Sequence, residues 1–199
     1  MSKVLQQTWW DSNLKTKMDE FKGWVGDHNA ESKSFFRNYI KKNNLKFNNM
    51  LDVGCGPATE YYGFKNDLID IDYTGVDSSV ILNQLNKEKN INMLNAEAHN
   101  IPVSDSSFDL VYCRHVLEHQ PSFESVLKEL IRCTKKLAIH IFFIKPEEKE
   151  QINYDSNSNL YHNKYSKLDI ELFLKNTKKI KKFEWQEINK SENILLMWV

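Results

Sequence analysis

The sequence predicts one α/β domain around a buried, mostly parallel sheet, and three observations predict it. Short apolar runs alternate with helix-like segments between Met50 and Phe143, the pattern of strand–helix–strand units. Residues 137–144 are apolar almost without a break, as in a strand covered on both faces. The first run, Met50-Leu51-Asp52-Val53, leads into Gly54-Cys55-Gly56-Pro57, a glycine turn joining strand to helix.

Taken in order, residues 1–49 are polar and helix-like with scattered aromatics, and form an N-terminal extension. Within it residues 32–42 predict an amphipathic helix with Phe35, Phe36, Tyr39 and Ile40 on one face, after a loop broken by Gly23, Gly26 and Asn29. Residues 50–199 read as a single folded unit. Its strands are MLDV, IDYTGVD, INMLNAE, SFDLVYCR and KKLAIHIFF, with helices over 58–64, 80–89 and 122–133 between them. After Pro146 a polar stretch shows no period and reads as a loop. A helix over 168–175 follows, then strands over 180–188 and 193–199, which pair antiparallel and bring the sheet to seven strands.

Composition narrows the function. At 199 residues the chain buries about 70% of its unfolded surface and needs no staple. Lys+Arg and Asp+Glu both total 27, a balance that disfavours nucleic-acid binding through phosphate neutralisation. The three cysteines, Cys55, Cys113 and Cys133, form no metal-spaced motif or paired framework, which fits a reducing, cytoplasmic setting. The abundance of Asn, with only three Arg, reads as compositional bias. No run reaches the ~18 apolar residues of a membrane span, so no membrane is expected.

The chemistry concentrates after the first strand. Gly54 and Gly56 let backbone approach a ligand, and Pro57 suits the first position of a helix. No Gly-Lys-Ser/Thr follows, so a nucleotide triphosphate loop is absent, and Thr59 stands where a dinucleotide fingerprint has its third glycine. Tyr73-Thr74-Gly75-Val76-Asp77 ends a second strand in a carboxylate able to accept both hydroxyls of a ribose. His115 and His119 lie four apart, but that spacing alone lacks a third metal ligand, and no metal is expected.

With LDVGCGP, GVD, NAEAHNIPV, SFDLVYCR and HVLEH in this order and spacing, the chain resembles the class I S-adenosylmethionine-dependent methyltransferases of the broad small-molecule group. The resemblance covers about Met50 to Phe143 and implies a Rossmann-like fold. It implies S-adenosyl-L-methionine as cofactor and S-adenosyl-L-homocysteine as product. Asp52, Gly54, Cys55 and Gly56 would line the methionine part, Asp77 would hold the ribose with Ser78 beside it, and Glu97 and Ala98 would contact the adenine. Arg114 and His115 would face the methionine end. Ala58 stands where a glycine is often found, and Glu97 where Asp is common. The N-terminal extension corresponds to a region that resembling enzymes use as a lid.

The expected function is methyl transfer to a small polar acceptor, a sugar or nucleotide-linked sugar hydroxyl or amine. A hydroxyl acceptor needs a base near the working pH, which points to His115, with His28 and His119 as substitutes. Trp24, His28, Tyr161, His162 and Tyr165 are candidates for the acceptor wall. Two other readings are a non-catalytic cofactor-binding partner of another enzyme, and an RNA nucleotide methyltransferase working with a basic partner.

Overall fold

The computed structural model describes Asp11, residues 27–158 and residues 160–199. The first full helix, α1, spans Glu31–Lys42 and buries Phe36 and Ile40 against the sheet. Five parallel strands follow: β1 (Asn49–Val53), β2 (Asp72–Asp77), β3 (Met93–Asn95), β4 (Phe108–Arg114) and β5 (Thr134–Phe142). They are separated by α2 (Thr59–Asn66), α3 (Val80–Glu88) and α4 (Glu124–Cys133). A two-residue pair, β6 (Tyr154–Asp155) and β7 (Leu160–Tyr161), precedes α5 (Lys167–Asn176), and β8 (Lys182–Glu187) and β9 (Asn193–Trp198) close the fold.

The seven-stranded sheet runs β3-β2-β1-β4-β5-β9-β8, with β9 antiparallel to both neighbours. The chain leaves β1 toward β2 and β3, then returns to place β4 on β1's other side. That reversal opens a crevice at the carboxyl ends of β1 and β4, where ligands bind in open α/β sheets. One apolar layer joins Leu51, Val111 and Ala138 to α4 and α5. The opposite layer joins Met50, Leu110 and Ile139 to α1 and α2. Covered on both faces, the central strands have no reason to alternate, which is why they read as continuous apolar runs.

Two local expectations are corrected. The helix after the glycine turn starts at Thr59, not at residues 57–58. Ala58 is its N-cap in the left-handed region (φ 55), the conformation that makes glycine frequent there. The polar stretch after Pro146 contains β6 and β7, each two residues long and so too short to show alternation. Its return is pinned by fully buried Asn163, whose N–H donates to the Glu118 carbonyl (2.9 Å) and whose amide donates to the Gln120 carbonyl (2.8 Å).

Among the described residues no helix is long and apolar enough to cross a membrane, and no cluster of three or more His, Cys, Asp or Glu could hold a metal.

Candidate functional site

The glycine turn is sewn to the end of β2. The N–H groups of Gly54 and Cys55 donate to the Val76 carbonyl (2.8 and 3.1 Å), and the Gly56 N–H donates to Asp77 Oδ2 (2.9 Å). Gly54 (φ 71) and Gly56 (φ 53) are both left-handed, a region costly for other residues. A Cβ on Gly54 would stand 2.3 Å from Val116 Cγ2, so the turn and the segment after β4 lie in direct contact.

Asp77 sits at the mouth of this cradle. Its second oxygen accepts the Ser79 N–H (2.9 Å). Burial raises its pKa, while the two backbone donors oppose that rise and Asp11 and Glu97 add to it. An ionised carboxylate offers about four lone-pair positions, so two backbone bonds leave two for further hydroxyl donors. Three asparagines, none of them singled out by sequence pattern, brace it. Asn83 donates to the carbonyls of Asp77 and Ser79, Asn95 to those of Asp77 and Ser78, and Asn86 to that of Gly56. These asparagines are therefore site architecture rather than compositional bias. Asp11 also enters here, accepting from Ser79 Oγ (2.5 Å) and the Ile81 N–H (3.2 Å) at the start of α3.

Glu97 and Ala98, half-buried at the end of β3, flank Asp77 through the Ala96 N–H bond to its carbonyl. Ser78 is half-buried beside them. Two members of the expected cofactor set turn inward instead. The Asp52 carboxylate is buried and accepts from the Tyr73 hydroxyl (2.6 Å), and the Cys55 thiol lies 3.9 Å from the Met93 sulfur. Both support the turn from beneath with their side chains.

Burial pushes the Asp52 carboxyl up to about 7, against the Tyr73 hydrogen bond. The folded protein thus keeps this proton to higher pH than the unfolded chain. Stability contributed here is present at low pH and is lost as pH rises from about 4 to about 7. Asp52→Asn is expected to flatten that slope and to raise stability at pH 8 by on the order of 2 kcal/mol. Urea melts between pH 4 and 8 check this, and a variant as pH-dependent as the parent would refute it.

On the other side of the turn β4 ends in Arg114 and His115. His115 has φ 57, a strained conformation for a side chain with a Cβ, of a kind concentrated at functional sites. Its Nε2 lies 2.8 Å from Glu192 Oε1, and its ring packs on Phe143 with centroids 5.0 Å apart. Burial lowers its pKa, with the Glu192 hydrogen bond opposing. Arg114 Nε donates to Ser32 Oγ (3.0 Å) on α1, and its guanidinium lies 4.0 Å from Glu192.

His119 packs on the same Phe143 (5.3 Å) and meets His162 edge-on (5.2 Å), and its Nδ1 bonds the Tyr161 carbonyl (2.7 Å). Thus His115 and His119 share Phe143, and Tyr161 and His162 join them through His119. Glu118, fully buried, holds this wall together by accepting the Phe143 N–H (2.6 Å). Burial acts to raise its pKa, but the His140 ring, 3.4 Å away, leaves it lowered.

Two expected members fall elsewhere. Tyr165 is 1% exposed, and its hydroxyl is bonded to the carbonyls of Leu117 and Gln120, so it anchors the loop rather than lining the crevice. The His28 ring bonds Asn66 (2.8 Å) at the far end of α2, ~10 Å along the helix from the turn. It is no substitute for His115. Trp24 lies outside the described residues.

This strand order, a glycine turn after β1 and an acid ending β2 are the features by which the chain resembles the class I S-adenosylmethionine-dependent methyltransferases. Residues 51–142 match the family described as methyltransferase domain. The chain is 28% identical over 148 residues to an uncharacterized methyltransferase of Schizosaccharomyces pombe, covering 68% of this chain and 51% of that protein. It is 29% identical over 136 residues to a demethylmenaquinone methyltransferase of Staphylococcus epidermidis, covering 62% and 53%. The chain therefore spans about half the length of these relatives. Among solved structures, it shares its fold with the Burkholderia thailandensis 1,6-didemethyltoxoflavin-N1-methyltransferase, crystallised with bound 1,6-didemethyltoxoflavin and S-adenosylhomocysteine. That likeness has a TM-score of 0.67 at 10% identity and covers 94% of this chain and 85% of that one.

Proposed function

We propose that this protein transfers a methyl group from S-adenosylmethionine to a hydroxyl or amine of a small polar acceptor, a sugar or nucleotide-linked sugar among them. The observation that carries the reading is the contact between Gly54 and Val116, which sets His115 beside the glycine cradle. Bound S-adenosylmethionine supplies a methyl carbon on a sulfonium, whose charge makes the departing thioether a good leaving group.

The residues fit that group. Asp77, with two free acceptor positions, suits the ribose, and Ser78, Glu97 and Ala98 frame the adenine side. Backbone at Gly54 and Gly56 suits the methionine part. The protein's work is then alignment, exclusion of water and removal of the acceptor's proton. His115, neutral at pH 7 because its pKa is lowered, takes that proton.

The described N-terminal residues that reach the crevice, Asp11 and Ser32, support a lid role for the N-terminal extension. Asp11 fastens it to Ser79 and Ile81 beside the ribose acid, and Ser32 fastens α1 to Arg114.

Calorimetric titration with S-adenosylmethionine and S-adenosylhomocysteine, followed by methyl transfer from radiolabelled donor to sugars, sugar nucleotides and small amines, tests this. Micromolar binding with turnover of one acceptor class is expected. Binding without turnover across the panel would favour a non-catalytic role instead.

A further inference from the structure

We propose that Glu192 is the positioning residue of the acceptor-side base. It holds His115 in the Nε2–H tautomer and makes Nδ1 the atom that receives the acceptor's proton. The inference rests on the reading of His115 as base, and assigns that role to one of its two nitrogens.

The geometry carries it. Glu192 belongs to the turn between β8 and β9, and that turn is tied tightly. Asn189 Oδ1 accepts the N–H groups of Ser191 (2.9 Å) and Glu192 (2.8 Å), and Asn189 Nδ2 donates to Glu192 Oε2 (3.0 Å). The same amide donates to Glu31 Oε2 (2.9 Å), locking the turn against the start of α1. Glu192 Oε1 is thus delivered to His115 Nε2 at 2.8 Å by a braced element rather than by a free side chain.

An ionised carboxylate only accepts, so the proton between the two must belong to Nε2. Burial acts to raise the Glu192 carboxyl, but donors His115, Asn189 and Ser32 bring it down to about 2, so it is ionised at any working pH. A neutral His115 therefore has its lone pair on Nδ1. Packing on Phe143 fixes the ring plane.

The charged groups around this imidazole are Arg114 at the end of β4, Glu118 in the following turn and Glu192 from the hairpin. Across Phe143 stands His119. Of the two carboxylates, only Glu192 has a bond to the ring given by the geometry.

The proton count closes. The acceptor's O–H bond breaks, its proton passes to Nδ1 and the electron pair stays on the oxygen, which would take the methyl group as the carbon–sulfur electron pair leaves with the thioether. The resulting imidazolium carries both N–H groups, pairs with the Glu192 carboxylate and returns its extra proton to water.

The test is direct ¹⁵N-imidazole NMR of the whole protein, with His115 assigned from His115→Ala, alongside Glu192→Gln and Glu192→Asp. Wild type is expected to show a single Nε2–H tautomer at neutral pH, and Glu192→Gln a mixture titrating at lower pH. Turnover of Glu192→Gln is expected to fall about 10²-fold with KM values little changed, and with the acid limb of the pH–rate profile moved to lower pH. Glu192→Asp should restore part of the loss. An Nδ1–H tautomer in wild type, which needs no variant to be folded, would overturn the proposal, as would a Glu192→Gln protein with an unmoved acid limb. If His115→Ala turns over normally while the tautomer is as expected, the base reading fails and the Glu192–His115 pairing stands.

Discussion

His115→Ala is expected to lower turnover by about 10²–10⁴-fold while leaving the affinity for S-adenosylmethionine within a few-fold of wild type. The side chain lies past the cradle, bonded to Glu192 and packed on Phe143, so its loss removes proton transfer and spares the ribose site. The sign of the pH effect follows from the lowered pKa of His115. Only the neutral ring is a base, so kcat/KM rises with pH through a midpoint below the ordinary 6.5 and is flat by neutrality. In the alanine variant that limb should vanish. Steady-state rates from pH 5 to 8 decide it, and a variant retaining both rate and limb would remove His115 from the chemistry.

Asp77→Ala should weaken S-adenosylmethionine and S-adenosylhomocysteine alike, by about 10²–10⁴-fold, from the loss of two charge-assisted hydrogen bonds of about 1.5–3 kcal/mol each. The two ligands share a ribose, so equal losses place the effect there. The Gly56 and Ser79 N–H groups also lose their acceptor, which loosens the turn itself. Asp77→Asn keeps one carbonyl acceptor and should fall in between. Because burial already raises the Asp77 pKa, Asp77→Asn should melt close to wild type, and Asp77→Ala, which orphans both N–H groups, below it. Calorimetry and thermal melts separate the two effects. Affinity within threefold of wild type would move the ribose elsewhere.

The candidate-site features legible in the sequence are those with a local signal. Gly54, Gly56 and Asp77 act through backbone conformation or a strand end, and a short window carries both signals. The central strands and α1 announced themselves through uninterrupted apolar runs and helical spacing. What stayed hidden was set by packing between distant segments. Glu192 lies 77 positions from the histidine it holds, and nothing in its own neighbourhood distinguishes it from a solvated turn carboxylate. Asp11 reaches Ser79 across 68 positions in the same way. The polar residues assigned too freely erred for the complementary reason. Asp52, Tyr165 and His28 carry groups suited to a ligand, but each is consumed by an internal partner that only the folded chain supplies. Asparagine misled in the opposite direction, since Asn83, Asn86 and Asn95 brace carbonyls around the cradle.

The placement of β9 has a consequence for how the molecule is assembled. Among the described strands it is last in sequence, yet it lies between β5 and β8. Until it inserts, β5 presents an open edge of apolar residues, Leu137 to Phe142, ready to pair with another chain. Insertion demands contacts between residues more than fifty positions apart, the kind of closure that slows folding. Because Glu192 immediately precedes β9, the base acquires its partner only when that edge is sealed. Catalytic competence would then be among the last properties to arrive during refolding, after the cofactor cradle built from β1 and β2 has formed.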